Sequence, residues 1–149
     1  KKELADVRAR GTFDPKVITE GTLAYALTFS SGFKAVLIGS AGPITPGVRA
    51  LAEKLGPVDI AIVAYQVHAV ADTQIKYTWP IVELFKPKLF LPAHHDAAPP
   101  AWVDLGLEPL FDKIRADMPG TAYLAPLYRS PICVAAAGPD KGKLVSFKY

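Results

Sequence analysis

The chain carries three histidines, and two of them are adjacent: His68 stands alone, while His94 and His95 are followed directly by Asp96. Neutral imidazole is the commonest metal ligand, and a carboxylate beside it can orient the free ring nitrogen. His94-His95-Asp96 therefore offers three donors in one short stretch. The competing reading is a loop whose histidines cap strand ends or hydrogen-bond a turn. His68 by itself reads as a hydrogen-bonded loop residue, and Asp59 and Asp72 as a strand-start and a helix-cap residue. Ser40 sits in Gly39-Ser-Ala-Gly42 and invites a nucleophile reading. It lacks the Gly-x-Ser-x-Gly frame of a nucleophile elbow, and no Gly-Lys-Ser/Thr follows to make a phosphate loop. Cys133 lies in an apolar stretch and reads as a small core residue.

The elements that must hold these residues are legible from apolar runs and their punctuation. Thr22–Phe29 and Phe33–Ile38, separated by Ser30-Ser31-Gly32, predict a β-hairpin. Thr45-Pro46 predicts a capped helix start, with Val48, Leu51 and Leu55 on one face and Gly56-Pro57 as the stop. Asp59–Ala64 and Leu89–Leu91 are continuous apolar runs bounded by turn residues, the mark of strands buried on both faces. Ile75, Trp79, Val82 and Phe85 space a second helix from about Thr73 to Phe85, with Pro80 inside it. A third is expected from Pro109 to about Asp117, and short strands at Thr121–Leu124, Ile132–Ala136 and Leu144–Phe147. Strands alternating with helices argue for an α/β layered fold. In open α/β sheets, sites gather at the carboxyl ends of the strands. The loops that hold Ser40, His68 and His94-His95 all start at such ends.

Length and charge narrow the classes. At 149 residues the chain is one domain's worth, and half of it is hydrophobic with 21% charged, which excludes wholesale disorder. The net charge of +3 is not gathered into a basic run, so no nucleic-acid footprint is expected. One cysteine excludes an internal disulfide framework. No apolar stretch is long enough for a membrane span, and Lys1 opens a charged segment with no apolar signal core behind it. Residues 1–16 read as a linker or frayed lead-in, and 17–149 as the folded part. Compartment is not legible.

Three segments carry a family resemblance: Phe33-Lys-Ala-Val-Leu-Ile-Gly-Ser-Ala-Gly42, Pro57-Val-Asp-Ile-Ala-Ile-Val-Ala64 and Pro87-Lys-Leu-Phe-Leu-Pro-Ala-His94. In this order and spacing they resemble the second half of a metallo-β-lactamase-fold hydrolase. The branch they look most like holds ascorbate-6-phosphate lactonase-like proteins and N-acyl-phosphatidylethanolamine phospholipase D relatives. The resemblance covers roughly residues 17–134, and the Pro-x-His ending is its most specific part.

The resemblance implies an α/β fold: the C-terminal half of an αββα sandwich, a mixed sheet with helices on its outer face. It implies a metal-dependent hydrolase of a lactone, ester, amide or phosphodiester, a small-molecule substrate, and one or two zinc ions or another divalent transition metal. His94 matches the family's last histidine ligand. His95 would line the pocket, and His68 falls where relatives place a histidine that contacts substrate or moves protons. Two departures stand out. Ser40 occupies the position of the aspartate that bridges two metals, and the family's His-x-His-x-Asp-His motif is absent from these residues. The expected partner is therefore an N-terminal half of the same fold, without which one face of the sheet would lie bare. Association into a homo-oligomer stays open, as do two other readings: a non-catalytic relative of the fold, and a small α/β binding module.

Overall fold

The computed structural model describes residues 23–39, 42–65, 71–94, 100–126 and 130–147. The lead-in at residues 1–16, Ser40, His68, His95 and Asp96 lie outside them.

The first two strands, β1 (Ala24–Thr28) and β2 (Lys34–Ile38), form the expected antiparallel hairpin. Its turn closes through the Gly32 N–H on the Phe29 carbonyl, and Gly32 has φ of 74°. A left-handed residue ending a short hairpin loop favours glycine, because any Cβ there is strained. The first helix, α1 (Pro46–Leu55), starts and stops on its predicted signals. The Thr45 hydroxyl accepts from the Val48 N–H, Pro46 opens the helix, and the Gly56 N–H returns to the Ala52 carbonyl.

Strand β3 (Ile60–Ala64) lies between β2 and β4 (Leu89–Ala93), parallel to both, so the two apolar runs are neighbouring interior strands. Between them runs α2 (Ala71–Phe85), which begins two residues earlier than expected and carries Pro80 inside, as expected. Asp72 is the second residue of this helix.

Helix α3 (Pro100–Asp117) corrects the predicted start at Pro109. The helix-opening proline is Pro100, and Pro109 lies within the helix. Leu107, Leu110, Phe111 and Ile114 recur at i, i+3, i+4 and i+7, all buried. The short β5 (Ala122–Tyr123) completes a five-stranded mixed sheet in the order β1-β2-β3-β4-β5, and β6 (Ile132–Val134) with β7 (Leu144–Phe147) makes a separate antiparallel pair. No helix among the described residues is long and apolar enough to cross a membrane.

Alternation along the strands divides the core in two. Val36, Ile38, Ala61, Val63 and Phe90 face the three helices, packing with Val82, Phe85, Leu110 and Ile114. Phe33, Ile60, Leu89 and Leu91 face the other way and meet Ile132 and Val134 of β6. That cluster spans β3, β4 and the start of β2, where Phe33 and Ala35 join it. Towards β1 the same face is open: Tyr25 stands opposite Leu37 and Leu27 opposite Ala35. Tyr25 and Leu27 are each 54% exposed and Leu37 42%. Leu23 and Phe29, in step with Tyr25 and Leu27, are exposed as well. Cys133 is also exposed, against its reading as a core residue. Ile132 and Val134 turn inward from β6, so the residue between them turns out.

Candidate functional site

Because β2, β3 and β4 are parallel, their carboxyl ends share one edge of the sheet. The register sets Ile38 beside Val63 and Ala64 beside Ala93. The chain leaves this edge at Gly39, Tyr65 and His94, the three points from which the sequence hung its candidate residues. His94 is the candidate that falls within the described residues. It is exposed and has φ of 62°, the left-handed region that a side chain with a Cβ rarely enters. Such a conformation costs on the order of 1 kcal/mol and persists where neighbouring structure determines it.

Two residues that the sequence did not single out build this edge. Tyr65 follows β3 and is fully buried. Its N–H donates to the Ala93 carbonyl at 2.7 Å and its hydroxyl to the Gly106 carbonyl of α3 at 2.6 Å. Thr78, also fully buried, donates from α2 to the Ala64 carbonyl at 3.1 Å. Helices α2 and α3 are thus each tied to the end of β3 by a neutral hydroxyl that meets a backbone carbonyl. A buried tyrosine hydroxyl needs a partner, and that requirement was the signal available in Val63-Ala-Tyr65.

The opposite edge carries the charge. Asp59, 4% exposed and immediately before β3, accepts from the Lys34 N–H at 2.9 Å and pairs with Lys88 at 2.8 Å. The Lys141 ammonium, from the turn before β7, is 3.8 Å from the other carboxylate oxygen. Burial pushes the Asp59 carboxyl up. The hydrogen bonds from Lys88 and the Lys34 N–H, and the charges of Lys88 and Lys141, outweigh it and hold the group below its ordinary value. An open cleft of about 460 Å³ lies near this edge, lined by Trp79, Lys88 and Thr121 among others.

Among the described residues, no group of three or more His, Cys, Asp or Glu side chains lies close enough to hold a metal ion. A zinc site takes three or four protein ligands. Of the candidates, the described residues bring His94 alone to the edge, so by themselves they do not fit a metal centre. Compared with known proteins, the chain matches no protein-family model and no curated protein.

Proposed function

We propose that the chain is the C-terminal half of a metal-dependent hydrolase of the metallo-β-lactamase type, acting on a lactone, ester, amide or phosphodiester. The observation that carries this reading is His94, exposed and left-handed, at the carboxyl edge of a parallel strand that ends Pro92-Ala93-His94. Backbone strain of this kind concentrates at functional positions. In this reading His94 is a metal ligand, and His68 and His95 shape the pocket as catalytic histidines. A zinc or similar ion would supply Lewis acidity and an activated water. The remaining ligands would come from an N-terminal half of the same fold. The open apolar face of Tyr25, Leu27 and Leu37 supports such a partner, since a second sheet laid on it would bury these side chains.

Ser40 favours a second reading, a relative of the fold that has lost its metal, because a neutral hydroxyl is a poor ligand where the family has a bridging carboxylate. Metal analysis by mass spectrometry separates the two on the chain assembled with its N-terminal half. Stoichiometric zinc, iron or manganese in the wild type, lost in His94→Ala and largely kept in His95→Ala, is the expected result. Hydrolysis should vanish with the metal. Equal metal in wild type and His94→Ala would remove the residue on which the hydrolase reading stands.

A further inference from the structure

We propose that the outer edge of β1 is an interaction surface for a second copy of this chain, the two β1 strands pairing antiparallel about Ala26. Strand β1 ends the sheet, and among the described residues nothing pairs with its outer side. The bond from the Phe29 N–H to the Phe33 carbonyl fixes which main-chain groups face which way. Bonded pairs alternate along an antiparallel ladder, so Leu27–Ala35 and Tyr25–Leu37 are bonded pairs as well. The N–H and C=O groups of Ala24, Ala26 and Thr28 therefore point away from β2, and no other described group bonds them. Natural edge strands are ordinarily guarded by a charge, a proline or a bulge. Leu23-Ala-Tyr-Ala-Leu-Thr-Phe29 has neither charge nor proline, and its pairing with β2 runs without a register shift.

The same stretch is complementary to itself. With Ala26 on a two-fold axis, the two Ala26 main chains bond each other and Ala24 bonds Thr28 of the second copy, about six hydrogen bonds in all. Tyr25 then stands opposite Leu27 of the second copy and Leu23 opposite Phe29, all on the open apolar face. Large apolar side chains thus meet large ones there, while on the helix side small residues meet small ones. Leu23 is 64% exposed, Tyr25 and Leu27 54% and Phe29 51%. An aromatic side chain has about 150–250 Å² to bury, so main chain and side chains together remove roughly 500 Å² per copy, about 1,000 Å² in total. That total meets the lower bound of a specific interface and fits a reversible dimer. The pairing uses the edge of the sheet and not its face, so it stands apart from the hydrolase reading and leaves room for a second sheet.

The experiment is sedimentation velocity on the full chain across a concentration series, with Ala26→Pro as the variant. Proline there deletes an outward N–H and leaves the bonds between β1 and β2 in place. The wild type should dimerise reversibly. Ala26→Pro should raise the dissociation constant roughly thirtyfold, because the axis removes one main-chain bond from each copy. A second variant reads the register. Ala26→Cys in a Cys133→Ser background sets two Cα atoms about 5.5 Å apart, within disulfide reach, so mild oxidation should give a covalent dimer. Leu37→Cys in the same background, on the same face but one strand further in, should not cross-link. A wild type that stays monomeric to about 0.5 mM would overturn the proposal. So would a dimer that survives Ala26→Pro and gives no cross-link through Ala26→Cys. Dimerisation that begins only when residues 1–22 are removed would assign the edge to that segment and overturn the proposal equally. Where Ala26→Pro loses its circular dichroism, the cross-link decides alone.

Discussion

Removing the Asp59 carboxylate should loosen the charged edge of the sheet by an amount that depends on pH in a defined direction. Asp59 joins three separate pieces of chain: the entry to β2 through the Lys34 N–H, the entry to β4 through Lys88, and the turn before β7 through Lys141. The same turn is secured by Lys88 donating to the Lys141 carbonyl at 2.8 Å and Lys141 donating to the Gly32 carbonyl at 2.9 Å. A hydrogen bond to a charged group contributes about 1.5–3 kcal/mol, so the half-buried Lys34 N–H bond takes about 2 kcal/mol. The Lys88 side chain is 52% exposed, and solvent screening holds its share to about 1 kcal/mol. Asp59→Ala should therefore cost about 3 kcal/mol, or about 6–12 °C in Tm for a chain of this size. Asp59→Asn keeps an acceptor for the Lys34 N–H and should cost about half as much.

The pH dependence follows from the direction of the shift. The folded-state pKa is depressed, so the stabilisation is fully present above the unfolded value, near pH 4, and is lost as pH falls through the folded value. Urea unfolding of wild type and Asp59→Asn at a series of pH values tests this. The gap between them should stay level from neutrality to about pH 5 and close on further acidification. A gap as wide at pH 3 as at pH 7, or one that widens in acid, would refute the assignment of charge at this carboxylate.

Two further outcomes are expected. Gly142 has φ of 88°, and a Cβ there would come within 2.8 Å of the Lys88 side chain and 3.1 Å of Asp59. Gly142→Ala should cost about 2 kcal/mol or more by chemical denaturation, whereas Gly120→Ala, with open space around it, should stay within about 0.5 kcal/mol. Replacing Tyr25, Leu27 and Leu37 together by threonine keeps β propensity but removes the exposed apolar face, so self-association of the chain alone should fall in sedimentation velocity across a concentration series. Unchanged sedimentation would show that this face is not the adhesive one.

The strands were legible because their punctuation is local. Ile60–Ala64 and Leu89–Leu91 are unbroken apolar runs, each announced by a proline shortly before it (Pro57, Pro87), and Thr45-Pro46 with Gly56 brackets α1. The start of α3 was missed because two prolines compete for it, and only packing favours Pro100: Leu107, two residues ahead of Pro109, already faces the core. Cys133 was misread because an apolar run does not say which residues turn inward when the strand has a single covered face. The sequence placed His94 at the carboxyl end of a buried parallel strand, and the structure sets it there. The sequence could not identify Tyr65 or the Asp59 cluster, since their partners lie 41 residues away at Gly106 and tens of residues away at Lys88 and Lys141. Contacts of that range exist only once the sheet has formed.

The two edges of the sheet are built from different chemistry, and the difference bears on what each can tolerate. At the amino edge a buried carboxylate meets ammonium groups from distant elements, an arrangement whose loss leaves unmatched polar groups. At the carboxyl edge the ties are neutral: hydroxyls of Tyr65 and Thr78 on backbone carbonyls. These neutral ties order the strand ends through single hydrogen bonds to backbone carbonyls, whereas the amino edge is ordered by charge. His94 itself is exposed, and its replacement opens no cavity in the core. Stability and chemistry should therefore separate by edge. Substitution at Asp59 should lower the unfolding midpoint while leaving any activity of the folded fraction intact, and substitution at His94 should do the reverse. A His94→Ala variant that lost as much stability as Asp59→Ala would place the histidine among the structural residues instead.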